Sequence, residues 1–271
     1  SLKGVAAVED EVELLAFCDS THIAPRDFIR RLVAPVVDGE DFSTGYHKVV
    51  ARDAGIVTMA YALCVQLMRY LQGISSFTQL WGGAMCFRLS AFRRYGVREF
   101  WMTNVVDDCS LADRLIRLGA RIRLSADAVL MTEARDHDLG VWRHWMDRQI
   151  LFLKFCLPCQ WVLLGVLACL MLLPVLWAVL ALLGVLLGKL SFGWLLGVLA
   201  YAAALALMLR GWARFQESVF PVWRWMVAFC ASACMFVWVY LGTILAEGVL
   251  WQGIWYEVGR QGRVIRMRRQ K

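Results

Sequence analysis

Residues 161–187 contain no charged side chain. That absence excludes a solvent-exposed segment, which would need a polar face. Two further apolar runs follow, residues 192–209 after Lys189 and residues 226–246 after Arg224. All three approach or exceed the roughly 20 residues that cross a hydrocarbon core. Acids are missing throughout residues 161–209. A transporter or channel needs polar groups inside its membrane region, so that class is disfavoured; Glu247, just past the last run, is the lone acid near it. A second Cys-x-x-Cys is also missing. Cys156 and Cys159 make one pair, while Cys169, Cys230 and Cys234 lie within apolar runs, so the nine cysteines read as small buried hydrophobes and not as a zinc site or disulfide framework. Nothing resembles a signal peptide, and Ser1 to Gly4 reads as the middle of a domain.

What is present agrees with these exclusions. An apolar share of 60% with 13 Trp exceeds what a soluble chain of this length carries, so the sequence predicts an integral membrane protein with a water-facing first half. The net charge of +7 does not point to nucleic acid, because six basic residues crowd positions 260–271 beside an apolar run, where an anionic lipid surface is the simpler partner. Residues 141–155 mix Trp142, Trp145 and Ile150 with Arg143, Arg148 and Lys154, a pattern suited to a helix lying on the membrane surface.

The first half reads as alternating strands and helices. Residues 13–18 form a short apolar strand that delivers Asp19 at its carboxyl end. Pro25 opens a helix with Phe28, Ile29, Leu32 and Val33 on one face. Asp53 caps a longer helix carrying Ile56, Met59, Leu63, Leu67 and Tyr70, which Gly73 ends. After Trp81-Gly82-Gly83 comes a strand over residues 84–88. Asp107 and Asp108 begin a helix that stops at Gly119, and residues 121–131 form another strand. This order predicts an α/β layer with ligands at the carboxyl ends of the strands. An Asp at a helix start is an ordinary cap; two adjacent acids exceed that need, so one caps while the other faces the cleft as a proton acceptor. His47 and His137 read as loop histidines without a catalytic part.

Four motifs in order resemble a known family: Cys18-Asp19-Ser20-Thr21, Trp81-Gly82-Gly83-Ala84-Met85 followed by Arg88, Asp107-Asp108, and Trp145-Met146-Asp147-Arg148-Gln149. They are similar to the successive signatures of the family-2 glycosyltransferases, in the ceramide glucosyltransferase-like branch. Trp251 to Tyr256, ahead of Gly262-Arg263-Val264, is similar to the segment that closes those enzymes after their last span.

The resemblance implies a partial GT-A-like nucleotide-sugar transferase fold over residues 1–138, an interfacial amphipathic helix over 139–157, and transmembrane helices with a basic C-terminal tail over 158–271. It implies an inverting transfer of a sugar, glucose first, from a nucleotide sugar such as a UDP-sugar to a lipid acceptor such as ceramide. Asp108 would be the general base, with Asp107 beside it. Asp19 would hold a divalent cation, Mg or Mn, and the diphosphate. Arg148 would face the departing diphosphate, because a guanidinium suits phosphate oxygens. Trp81, Gly82 and Gly83 would border the acceptor, and Trp145 and Gln149 would be nearby binding residues. The family's Asp-x-Asp is here Asp19-Ser20-Thr21, without its second acid. The family also begins with a βαβ unit for which the residues before Asp19 leave no room, so the expectation is an N-terminally truncated domain without turnover of its own.

The implied setting is the cell inner membrane with the catalytic half toward the cytoplasm. Three spans would then put the basic tail on the far side, against the positive-inside tendency. Either residues 161–187 cross twice around Pro174, or the last apolar run is partly interfacial. Other readings are a processive polysaccharide synthase of the same broad family and a non-catalytic membrane protein.

Overall fold

The computed structural model describes residues 2–8, 11–74, 78–217 and 219–269. The first half runs α1 (Leu2–Ala6), β1 (Leu14–Cys18), α2 (Phe28–Val37), β2 (Phe42–Ala51), α3 (Ile56–Gln72), β3 (Ala84–Arg88), α4 (Leu89–Arg94), α5 (Val97–Trp101), α6 (Cys109–Arg117) and β4 (Ile122–Ala134). Helices α7 (Leu139–Cys156), α8 (Pro158–Leu186), α9 (Gly193–Phe215) and α10 (Val222–Thr243) follow. The chain then forms β5 (Gly248–Trp251), β6 (Ile254–Val258), a single 3-10 turn (Arg260–Gly262) and β7 (Val264–Arg269).

The expected α/β layer is present as a mixed sheet of order β1-β3-β2-β4. β2 and β4 are parallel, whereas β3 pairs antiparallel with both β1 and β2. β2 is buried along all but one of its residues, as an inner strand covered on both faces must be. On one side lies the α2 stripe of Phe28, Leu32 and Val36, spaced one helical turn apart. Elsewhere Tyr46 and Val49 pack in a core with Met59 and Leu63 of α3, while Phe42 packs in another with Leu111 and Leu115 of α6. Gly45 sits where the β2–β4 register shifts, and a Cβ there would strike the Ala128 carbonyl.

Three local expectations need correction. The helix expected from Pro25 begins at Phe28 behind Asp27. Asp53 does not cap α3 directly: Gly55 is the N-cap, and the Asp53 carboxylate accepts from the Gly55 N–H at 2.6 Å and the Thr58 hydroxyl at 3.2 Å, bracing the turn before it. His47 is not in a loop but inside β2 and buried, because the strand extends through the Gly45 irregularity to Ala51.

Helix α7 buries Trp142, Met146 and Ile150 almost completely, worth ~1.5–3 kcal/mol for each large apolar side chain taken from water. Helices α8, α9 and α10 are long and apolar enough to cross a membrane. α8 is one continuous helix through Pro174, which overturns a double crossing around that proline. At about 1.5 Å per residue, its 29 residues exceed one hydrocarbon thickness and fall short of two.

Most of the basic tail is ordered structure. β5, β6 and β7 form an antiparallel sheet whose Val249 and Val258 bury with Val105, against Phe152 and Phe155 of α7. The Val105 N–H donates to the Gly262 carbonyl at 2.9 Å, the Val264 N–H to the Thr103 carbonyl at 3.0 Å, and Asn104 Nδ2 to the Gln261 carbonyl at 2.7 Å. The segment after α10 thus adds a short strand contact to the loop that leads into Asp107 and Asp108.

Candidate active site

The loop before α6 turns sharply enough to present two acids at once. Trp101 Nε1 donates to the Asp107 carbonyl at 2.8 Å, which anchors the turn to the core around Phe87 and Phe92. Asp108 then caps α6: its Oδ1 accepts from the Cys109 N–H at 2.5 Å, while Oδ2 accepts from the Gly82 N–H at 3.1 Å. The division of labour expected for the pair is therefore absent. One residue, Asp108, both caps the helix and faces a cavity, because its backbone leaves one carboxylate oxygen for the helix and the other for Gly82. Asp107 stays close: a Cβ at Gly82 would lie 3.3 Å from an oxygen of each acid. Burial first, and the Asp107 charge second, raise the Asp108 carboxyl to about 6, with the Cys109 and Gly82 hydrogen bonds opposing.

The Trp81-Gly82-Gly83 turn links this acid to the first strand. The Asp19 N–H donates to the Gly83 carbonyl at 3.1 Å, so two successive glycines hold Asp19 on one side and Asp108 on the other. A Cβ at Gly83 would collide with the Trp81 indole. The Trp81 N–H donates to Thr44 Oγ1 at 3.0 Å, and its ring stacks on His47 with centroids 4.7 Å apart. Beside them, His22 Nδ1 meets Thr132 Oγ1 at 2.6 Å and its Nε2 stands 3.6 Å from Asp19 Oδ2. Burial holds His47 down to about 3 and also lowers His22, against the pull of Asp19. Both rings are uncharged supports beneath Trp81 at neutral pH.

Asp19 is largely exposed, with its side chain at 57%. Among the described residues, no three His, Cys, Asp or Glu side chains gather as a metal site. Its accessible carboxylate offers one hard oxygen donor, too few to hold a divalent cation without ligands from elsewhere.

A cavity of about 310 Å³ opens from the acid toward the helices. Tyr46, Trp81, Asp108 and Gln149 line it together with Leu163, Leu167 and Leu170 of α8. Phe152 and Leu153 of α7 also line it, and Gln79 Nε2 donates to Gln160 Oε1 in its wall. Tyr46 was not singled out from the sequence, which read its neighbour His47 as a loop residue. Burial and the nearby Asp108 charge raise its hydroxyl well above the usual tyrosine range.

Of the other α7 residues, Gln149 faces the cavity whereas Trp145 and Arg148 border Tyr61. The Trp145 and Tyr61 rings meet edge to face at 5.0 Å, and burial pushes the Tyr61 hydroxyl up to about 12 with the Arg148 charge opposing. His137 stacks on the same tyrosine at 4.3 Å. Cys156 packs with Cys109 in a small cluster and not with Cys159, which is exposed.

The site thus combines a mixed α/β layer, an acid at the start of α6 that lines an apolar cavity, and long apolar helices that share that cavity's wall. The model of glycosyl transferase family 21 matches residues 6–264, from α1 to β7, and the chain belongs to that family of glycosyltransferases. No curated protein matches the chain.

Proposed function

We propose that the protein transfers a hexose, with glucose the first expectation, from a nucleotide sugar such as a UDP-sugar to the hydroxyl of a membrane lipid such as ceramide. The observation that carries this reading is the cavity that joins Asp108 to the outward-facing leucines of α8. An acyl or alkyl chain fits such a lining, and its hydroxyl head would reach the carboxylate. The same apolar lining disfavours a growing polysaccharide, which needs a polar tunnel.

In this reading Asp108 takes the acceptor's hydroxyl proton as the O–H bond breaks. The freed oxygen forms a bond to the anomeric carbon with inversion, and the bond to the diphosphate breaks with its electron pair leaving on the nucleotide. A carboxyl near 6 suits the task, since it is ionised at neutral pH and more basic than an exposed acid. Asp19 would hold the divalent cation, Mg or Mn, which neutralises diphosphate charge when bound. Arg148 would face the leaving group and Trp81 the acceptor. The apolar helices would hold the enzyme in the cell inner membrane with the site toward the cytoplasm.

The test is to incubate membranes containing the full-length protein with several labelled UDP-sugars, with and without added ceramide, and extract with organic solvent. Label entering the organic phase only with an intact Asp108 is the expected result. Label confined to aqueous polymer overturns the lipid acceptor.

A further inference from the structure

Helix α10 is about as apolar as α9, yet both of its ends are fastened to the water-facing half. At its start, Arg224 Nη1 donates to the Ala54 carbonyl at 2.9 Å, in the turn after β2. The residues just before it are held there as well: Gln216 Nε2 meets Gln66 Oε1 at 3.4 Å, and Glu217 pairs with Lys48 of β2. Eight residues on, Ser232 Oγ donates to the Ala60 carbonyl of α3 at 3.3 Å. At its far end, Lys154 of α7 caps the helix by donating to the carbonyls of Thr243, Ile244 and Ala246 at 2.7, 2.9 and 2.7 Å. The chain then enters the sheet that pairs with residues 103–105.

A spanning helix has its ends on opposite sides of the membrane. α10 has both beside groups that belong in water. Its second half also runs beside the polar face of α7, where the Arg143 guanidinium covers the Trp238 ring at 4.6 Å and stands 3.7 Å from Asp147. A transbilayer α10 would carry that charged pair into hydrocarbon, which membranes resist strongly. Burial separates the three helices in the same way: 44% of the apolar window of α10 is buried inside the protein, against 17% for α8 and 11% for α9.

We infer that only α8 and α9 cross the membrane, as a hairpin turning near Gly188, and that α10 lies along the membrane surface with the exposed stripe of Trp223, Val227, Cys234, Trp238 and Leu241 against lipid. This rests on the reading that α8 and α9 enter a bilayer. Tryptophans flanked by arginines at both ends of the stripe suit headgroup depth: Arg224 covers Trp223 at 4.9 Å as Arg143 covers Trp238. α10 is apolar all round because one face fills the core between α3, α7 and α8 while the other meets lipid, so its composition mimics a span. The even number of crossings returns the basic β7 strand to the side of the active site.

Spin labels in the full chain reconstituted in vesicles of phosphatidylcholine and phosphatidylglycerol test this. Cys18, Cys159, Cys169 and Cys230 are replaced by serine, and the label is placed on Cys234 at the middle of α10 or, with Cys234→Ser, at Leu173→Cys in α8. Relaxation by oxygen and by a water-soluble nickel chelate reports depth. The inference expects the Leu173 label deep and the Cys234 label at headgroup level. Equal, deep immersion of both overturns it, and a shallow Leu173 label overturns the membrane reading on which it depends. A second measurement needs no cysteine change: epitope tags at the N-terminus, between Gly188 and Lys189, and at the C-terminus are probed with protease on sealed vesicles. The two terminal tags should be cut from one side and the middle tag from the other; a C-terminal tag cut only with the middle one sinks the proposal.

Discussion

Gly82 and Asp108 are joined by a backbone-to-carboxylate hydrogen bond of 3.1 Å, so the acid at the mouth of the cavity is aimed by the turn that also carries Trp81. Asp108→Asn keeps the size of the side chain and removes the proton acceptor. Turnover in membranes should fall by about 100-fold or more with nucleotide-sugar binding nearly intact. Wild-type turnover by the variant would remove Asp108 from the chemistry.

Acidity gives a second expectation. With Asp108 raised to about 6, the rate should climb as pH rises through that value and level off above it, because only the carboxylate accepts a proton. Asp107→Asn removes the like charge that is the second cause of the shift and should move the acid limb to lower pH. The stability effect has the opposite sign: the folded chain holds this proton more tightly than the unfolded one, so ionising Asp108 costs stability as pH rises from the ordinary carboxylate range to about 6. Rate profiles of the two proteins from pH 5 to 8 are the check, and coincident limbs would detach the shift from Asp107.

Much of this was legible from local chemistry. Gly73 ending α3 and Asp19 following β1 follow from caps and strand periodicity. Asp19, Trp81 and Asp108 were named through motif resemblance, which did not show that one turn, Trp81-Gly82-Gly83, brings them together. What the sequence could not show depends on distant contacts. Tyr46 faces the acid because β2 is crossed by a register shift at Gly45, which periodicity does not reveal. Gln149 lies on the cavity side of α7 while its neighbour Arg148 is turned about 100° away, as adjacent residues on a helix are. The final strands form a sheet through pairing with one another and with residues 103–105, so their basic character read simply as a tail.

The cavity should set acceptor affinity. Leu167→Trp fills its α8 side with a larger apolar side chain, and the KM for the lipid acceptor should rise about tenfold while donor affinity stays unchanged. Kinetics with short- and long-chain acceptors would show it, and an unchanged KM for both would place the acceptor elsewhere.

Arg148 and Gln149 offer a paired comparison. Arg148→Lys should keep part of the activity and Arg148→Ala very little, since lysine retains a point charge without the forked donors. Gln149→Leu should instead act on acceptor KM, in line with its place on the cavity wall. Equal activity in wild type and both Arg148 variants would reduce that arginine to a support for Tyr61.

Gly262 has φ +74°, and a Cβ there would lie 2.8 Å from Cys156 Sγ and 3.0 Å from Ser110 Cβ. Gly262→Ala should cost about 1–2 kcal/mol from the left-handed backbone alone, and the crowding should displace the start of α6 enough to lower turnover. Thermal melts and rates measured together are the check; an unaltered melt and rate would show that neither the backbone nor the packing is strained there.

The contact between residues 103–105 and 262–264 also orders events in the life of the molecule. Translation delivers the loop bearing Asp107 and Asp108 early, but its partners Gly262 and Val264 leave the ribosome only after the three long apolar helices. The sheet can therefore close on that loop only after α8, α9 and α10 have been made, and contacts so distant in sequence carry a loop-closure cost that makes them form late. Until then Val105 lacks its hydrogen-bond partner and the hydrophobic side chains beneath β5 and β6 are uncovered. The base loop is thus locked by a segment made about 160 residues after it.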